Sequence, residues 1–252
     1  MRRIAHFSCG AASAVAAKIS SPDEIWYAET GGEDSDNERF LRDCEEWFGQ
    51  PVIRMRSKEF ASTWDVWEKV RYIGGIAGAP CTRELKVEPL REFALPSDIG
   101  IIGYTADKKD SKRTKQLEAV APDLIWEFPL IERGITKANC LAILETAGIK
   151  PPRVYGMGFH NANCIPCSKA VSPGYWALVR EHFPNEFERM DKLCREIGAR
   201  PVQFSNRKVD GKWVKERGFP GDVPLDTPLQ DPVAPACDML CTLATKDLLE
   251  EE

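Results

Sequence analysis

No apolar run in the 252 residues approaches the roughly 20 residues that a membrane-spanning helix requires. An excess of basic charge is also missing. The net charge is -5, which argues against a large sequence-independent nucleic-acid footprint but leaves room for a local basic groove. The opening stretch Met1-Arg2-Arg3-Ile4-Ala5-His6-Phe7 reaches a polar glycine turn before an apolar signal-peptide region develops, so a cytoplasmic protein is expected. No internal repeat occurs. The nine cysteines are odd in number and lack a secretion signal. A disulfide framework is therefore the weaker reading, and metal binding or thiol chemistry the stronger.

What is present is an ordinary globular composition, 43% hydrophobic and 29% charged, which excludes wholesale disorder. Ile4–Phe7, Ile25–Ala28, Val52–Met55, Ile99–Gly103 and Leu124–Leu130 read as short buried strands. Between them lie helical patterns over Asn37–Phe48, closed by Gly49 and Pro51, and over Lys137–Thr146, closed by Gly148. Tyr175 to Ile197 is helical with a break near Pro184, and Trp64 to Ala79 is mixed. Asp210-Gly211, between Val202-Gln203-Phe204 and Lys212-Trp213-Val214, is a hairpin signal. A proline-rich stretch from Pro220 to Pro235 is expected to lie extended across the surface. The expected fold is α/β, a doubly wound, mostly parallel five-stranded sheet of Rossmann-like type. Residues 1–198 would form the nucleotide-binding domain, with a hairpin and cysteine-bearing tail, 199–252, against it.

The first strand breaks at Ser8-Cys9-Gly10-Ala11-Ala12-Ser13. Parallel α/β sheets bind phosphates at such turns, where backbone N–H groups and a helix N-terminus face the anion. An ordinary strand–helix turn would need only Gly10. The segment lacks the Gly-Lys-Ser/Thr end of kinase P-loops and the three-glycine dinucleotide pattern.

Six segments, in order over residues 4 to 169, resemble one family. Phe7 to Val15 is similar to the modified pyrophosphatase (PP) loop of phosphoadenosine phosphosulfate (PAPS) reductases. Ala28-Glu29-Thr30-Gly31 resembles their "DTG" turn, and Cys81 to Leu90 their cysteine-plus-"KxxPL" segment. Gly103-Tyr104 through Arg113 resembles the sulfonucleotide-contacting loop. Phe128-Pro129-Leu130 with Thr136 stands where the family has "PL…WT". Gly158 to Cys167 resembles "GY…GCxPC". Ala236-Cys237-Asp238-Met239-Leu240-Cys241 is a divergent version of the "ECG" end.

The resemblance implies a PAPS-reductase-type enzyme that binds an adenine nucleotide or sulfonucleotide. The nucleotide site would comprise Ser8, Cys9, Gly10, Ser13, Thr30, Gly31, Arg83, Lys86, Lys109 and Arg113, with Lys86 facing the sulfate or terminal phosphate. Cations suit a multiply charged ligand, arginine in bidentate fashion; a solvated loop and helix start is the plainer reading of Lys108 to Lys115.

Cys164-Ile165-Pro166-Cys167 presents two thiols to one metal. With Cys81 far upstream, the arrangement resembles members that carry a four-iron (4Fe-4S) cluster. Position 80 is Pro where those members have a second cysteine. The fourth ligand would be Cys241 or Cys237, or one iron would stay open; zinc accepts the same thiolates, and Cys194 is a minor candidate. Cys44, Cys140 and Cys194 read as buried small hydrophobes. Cys9 reads as a small residue of the loop, and His160 as a possible nucleotide or cluster contact.

Catalysis by Cys237 would consume a thioredoxin-type reductant. The alternative is an ATP-dependent sulfur transferase acting on a base or small molecule. Against it, Ala12 stands where the ATP-pyrophosphatase signature has Asp. A non-catalytic nucleotide-binding relative is the third reading.

Overall fold

The computed structural model describes residues 1–75, 78–121 and 124–236. Five parallel strands, β1 (Arg3–Phe7), β2 (Glu24–Ala28), β3 (Val52–Met55), β4 (Ile99–Ile102) and β5 (Ile125–Glu127), line up in the order β3-β2-β1-β4-β5. Chain order reverses between β1 and β4. This is the switch point where the carboxyl ends of strands open a crevice for ligands. Every pairing in the sheet is parallel, so the expected fold class holds and the qualifier "mostly" falls away.

Alternation along each strand sends side chains to two faces. Ala5, Phe7, Ile25, Tyr27 and Ile101 enter the main core. There they meet α1 (Ala11–Ser20), α2 (Asn37–Phe48) and α8 (Lys137–Thr146). The alanines of α1 are the reason its axis lies so close to the sheet: Ala11, Ala14 and Ala17 are all buried, and small side chains permit near backbone approach. Ile4, Trp26 and Met55 line the other face, with Leu90 against them.

That second face carries an unusual histidine. His6 lies between Trp26 and Trp126, ring centroids 6.4 and 5.8 Å away. Desolvation lowers its pKa from 6.5 to about 4. Below pH 6.5 the unfolded chain therefore takes up a proton that the folded chain refuses. The stabilisation is complete above about 6.5 and is lost as pH falls towards about 4. Thermal midpoints measured across this window should fall more steeply for the wild type than for His6→Gln; parallel curves would contradict the assignment.

Between β3 and β4 the chain forms α3 (Thr63–Val70), then α4 (Pro80–Thr82), a π-helical turn (Arg83–Val87) and α5 (Glu88–Arg91) end to end. α3 begins with a reciprocal cap, in which the Ser62 hydroxyl accepts from the Asp65 N–H. This helix occupies ground that reads as mixed in sequence. The charged run after β4 is helical as α6 (Lys108–Val120). The fifth strand is three residues long, because Phe128-Pro129 turns the chain into the short α7 (Pro129–Glu132).

A second core gathers Trp67, Phe159 and Ile165 with α9 (Pro173–His182) and α10 (Pro184–Ile197). From it projects an antiparallel hairpin, β6 (Val202–Val209) and β7 (Lys212–Gly218), turned by Asp210 and Gly211 at positive φ. Contrary to the fully extended course expected from its prolines, the tail opens with a 3-10 turn, Pro220–Asp222, and then runs without regular structure to Ala236. Among the described residues, no helix is long and apolar enough to cross a membrane.

Candidate nucleotide and thiol site

The loop after β1 occupies the switch point. Cys9 adopts φ 50°, a left-handed conformation that bends the chain into the helix. Gly10 is the N-cap of α1 and has no side chain with which to cap it. Ser13 organises the turn: its hydroxyl accepts from the Ser8 N–H at 3.1 Å and donates to the Gly10 carbonyl at 3.0 Å. The Ser8 hydroxyl lies 3.1 Å from that of Ser13. The Ala11 N–H donates to the Tyr155 hydroxyl at 3.1 Å. The loop's N–H groups at Ser8, Gly10 and Ala11 are thus held by hydroxyls, the groups an anion at this helix N-terminus would have to replace. Cys9 is fully buried, and burial pushes its thiol well above the usual range; it serves the loop as a small packed residue.

Gly103, just beyond β4, touches the same loop. A Cβ there would stand 2.7 Å from Ser13 Cα and 2.8 Å from Ser13 N. Only glycine lets β4 approach the first turn of α1 this closely.

The second loop, Glu29 to Glu33, is tied to the cysteine pair. Thr30, 1% exposed, donates its N–H and its hydroxyl to Glu33 Oε1 at 2.9 and 2.5 Å. Its oxygen also lies 2.9 Å from Cys164 Sγ. With the hydroxyl proton directed to Glu33, the thiol is the donor. The Ile165 N–H donates to the Gly32 carbonyl at 2.7 Å, and Ile165-Pro166 is cis. Gly31 has φ 62°, and a Cβ on it would reach within 2.1 Å of the Ala61 carbonyl oxygen.

Cys81, Cys164 and Cys167 interact electrostatically in a chain, Cys167 with each of the other two. Lys86 acts on both Cys164 and Cys167. Desolvation, opposed by the Lys86 charge, pushes Cys164 up to about 11; desolvation also raises Cys167. The Cys167 N–H donates to the buried Tyr175 hydroxyl at 2.6 Å, and Cys81 Sγ lies 3.7 Å from the Ser168 hydroxyl. Three neighbouring thiols are the soft donors that iron–sulfur clusters and zinc prefer. Among the described residues, however, no three His, Cys, Asp or Glu side chains stand in an arrangement that could hold a metal ion. Cys237 and Cys241 lie outside the described residues.

The cations expected at the nucleotide divide. Lys86 is close enough to lower the pKa of Cys164 and Cys167 through its charge. Arg83 pairs with Glu84 at 2.5 Å and is exposed. Lys109 is exposed on α6. Arg113 pairs with Asp110 at 3.0 Å and lies 4.4 Å above the Tyr104 ring, and Tyr104 in turn stacks on Phe128 at 5.9 Å. Lys108, Lys112 and Lys115 line an open groove of about 360 Å³ with Ala106 and Ser111; no residue of the Ser8–Ser13 loop lines it. His160 holds the tail, its Nε2 lying 3.1 Å from the Asp231 carbonyl. Cys44, Cys140 and Cys194 are fully buried, as their helical patterns implied.

Three contributors are silent in the sequence pattern. Tyr155 steadies the Ser8–Ser13 loop, Tyr175 the cysteine loop, and Glu33 the turn after β2. Each acts on residues distant in sequence or through a loop with no periodicity. Only Glu33, three residues after Thr30, follows a local capping-like spacing.

These features define a doubly wound α/β protein with a hydroxyl-braced loop at its switch point and a thiol cluster docked on the neighbouring strand end. No family model matches the chain. An uncharacterized protein of Methanocaldococcus jannaschii is 24% identical over 202 residues, covering 77% of this chain and 39% of that protein. The chain thus spans about two fifths of the length of that curated relative. A solved structure of phosphoadenylyl-sulfate (PAPS) reductase from Candida auris, in a phosphate complex, is similar with a TM-score of 0.49 and 12% identity, over 65% of this chain and 81% of that one.

Proposed function

We propose that the chain is an enzyme of the PAPS reductase kind that binds an adenine sulfonucleotide at the Ser8–Ser13 loop and reduces its sulfur group. The observation that carries this reading is the bond between Thr30 and Cys164. It draws the "DTG"-like turn and the cysteine pair, 134 residues apart, to a strand end beside the phosphate loop. Segments that resemble one family in order thereby meet in space.

Ser8, Gly10 and Ser13 would receive the nucleotide phosphate, with Thr30 and Gly31 bounding the site. Lys86 supplies the positive charge that a sulfate needs beside buried thiols. Cys237 is the proposed nucleophile. Its thiolate attacks the sulfate sulfur, the S–O bond to the nucleotide phosphate breaks, and the nucleotide leaves with that electron pair. A thioredoxin-type dithiol then attacks the Cys237 sulfur. Sulfite is released, and the dithiol is oxidised to its disulfide while Cys237 regains its thiol. Support for this nucleophile comes from the residue before it: the Ala236 N–H donates to the Ala138 carbonyl at 3.2 Å, and its carbonyl accepts from Asn139 Nδ2 at 2.9 Å. That anchor is at the start of α8, where the Lys137 ammonium sits 5.6 Å from the ring of the loop-bracing Tyr155.

Cys81, Cys164, Cys167 and Cys241 are proposed as ligands of an iron–sulfur cluster or, with the same thiolates, zinc; the three among the described residues do not stand in a ligating arrangement, so a metal here would require these thiols to close on it. Incubation with adenylyl sulfate or its 3′-phosphorylated form, with thioredoxin and its reductase, should release sulfite. Absence of sulfite from both substrates would overturn the reductase reading.

A further inference from the structure

The chain is acidic overall, yet one element reverses that sign. Residues 202–218 carry Arg207, Lys208, Lys212, Lys215 and Arg217 against Asp210 and Glu216. β7 is exposed as far as Arg217 and β6 from Asn206 onward, the outer half of that strand. Their root is fixed: Val202 is fully buried, and the Gln203 N–H donates to the Val171 carbonyl at 2.8 Å. The hairpin is therefore a strand-paired arm that projects from a fixed root.

Register sorts its side chains. Lys208 pairs with Trp213 and Asn206 with Lys215, so these four share one face. Arg207, Val214, Ser205 and Glu216 occupy the other. Glu216 thus lies on the opposite face, where its carboxylate accepts from the Ser205 hydroxyl at 3.1 Å. The first face holds two lysines, an amide and a tryptophan that is 67% exposed. Among the described residues, neither Lys208 nor Lys215 enters an ion pair.

An exposed indole flanked by unpaired ammonium groups combines the two features that bind a single strand, a stacking surface for a base and cations for the adjoining phosphates. An acidic peptide would use the lysines and leave the indole exposed. A duplex would hide its base faces from it. We infer that the Lys208–Trp213–Lys215 face of the β6–β7 hairpin binds single-stranded nucleic acid, with one base stacked on Trp213 and phosphates on the two lysines. This inference is independent of the nucleotide site, and its readout does not involve sulfite.

Fluorescence anisotropy of the full chain with fluorescein-labelled oligothymidylate and oligouridylate tests it, the two probes separating DNA from RNA. Saturable binding that weakens with salt is expected. Trp213→Ala should weaken it about tenfold, Trp213→Phe should largely restore it, and Lys208→Gln with Lys215→Gln should reduce the salt slope by about 1.4. These side chains are exposed, so the thermal midpoint should stay that of the wild type. No saturable binding of either probe, wild-type affinity in Trp213→Ala, equal binding of a duplex, or equal competition by polyglutamate would each overturn the inference.

Discussion

Replacing Gly31 with alanine is expected to lower the thermal midpoint by about 10 °C and to detach the cysteine loop. Two costs add at this position. The residue sits at φ 62°, where a side chain costs about 1 to 2 kcal/mol. Its Cβ would also enter the space of the Ala61 carbonyl at 2.1 Å, an overlap with backbone that a rotamer change cannot relieve, and such overpacking costs about 1 to 3 kcal/mol. A total near 3 to 4 kcal/mol corresponds to roughly 10 °C for a chain of this size. The displacement would fall on Thr30 and Gly32, which hold Cys164 and Ile165. Thiol labelling should therefore become faster at Cys164 in the variant, as its partner moves away. Calorimetric scans check the first part and a labelling time course the second. A variant with the wild-type midpoint would show that the turn tolerates a side chain, against its geometry.

Cys237→Ser should abolish sulfite release while leaving nucleotide binding intact. A serine hydroxyl is far less nucleophilic than a thiolate and cannot form the thiosulfonate that a dithiol later reduces. Loss should therefore be complete within detection rather than partial. Cys44→Ser, in the buried core of α2, is the contrasting substitution: it can lower stability but leaves the chemistry in place. Mass spectrometry of the wild type with substrate and no reductant should show one added sulfonate, absent from Cys237→Ser. Retained sulfite release by Cys237→Ser would move the nucleophile elsewhere.

Much of the fold was legible because the signals were local. Gly49 and Pro51 stop α2, Gly148 follows the end of α8, and Asp210-Gly211 turns the hairpin. The helices α2 and α8 appear over the residues read from the pattern, while the hairpin strands run on to Val209 and Gly218, past the residues read. α3 was obscured by its tryptophans, since Trp64 and Trp67 serve a core shared with α9 and α10 rather than the sheet. The fifth strand was overextended because an apolar run continues through Phe128-Pro129-Leu130, and only the proline shows that it leaves the sheet. The site was half legible. Small and hydroxyl residues mark the Ser8–Ser13 loop and the cysteine spacing marks the thiol loop. The bonds that join them do not show in sequence: Thr30 to Cys164, Tyr155 to Ala11 and Tyr175 to Cys167 depend on tertiary approach. The cations were the least readable part, because a lysine or arginine in a charged run gives no sign of which partner it will choose. Arg83 and Arg113 have chosen neighbouring carboxylates.

The central claim is that the Ser8–Ser13 loop is an adenine sulfonucleotide site. Isothermal titration of adenylyl sulfate and its 3′-phosphorylated form against the wild type and Gly103→Ala tests it most directly, since a Cβ at residue 103 would drive into the backbone of Ser13 without touching any cysteine. Saturable heat for at least one nucleotide with the wild type, lost in Gly103→Ala, is the expected result. No heat from either nucleotide, or the same affinity in Gly103→Ala, would contradict it.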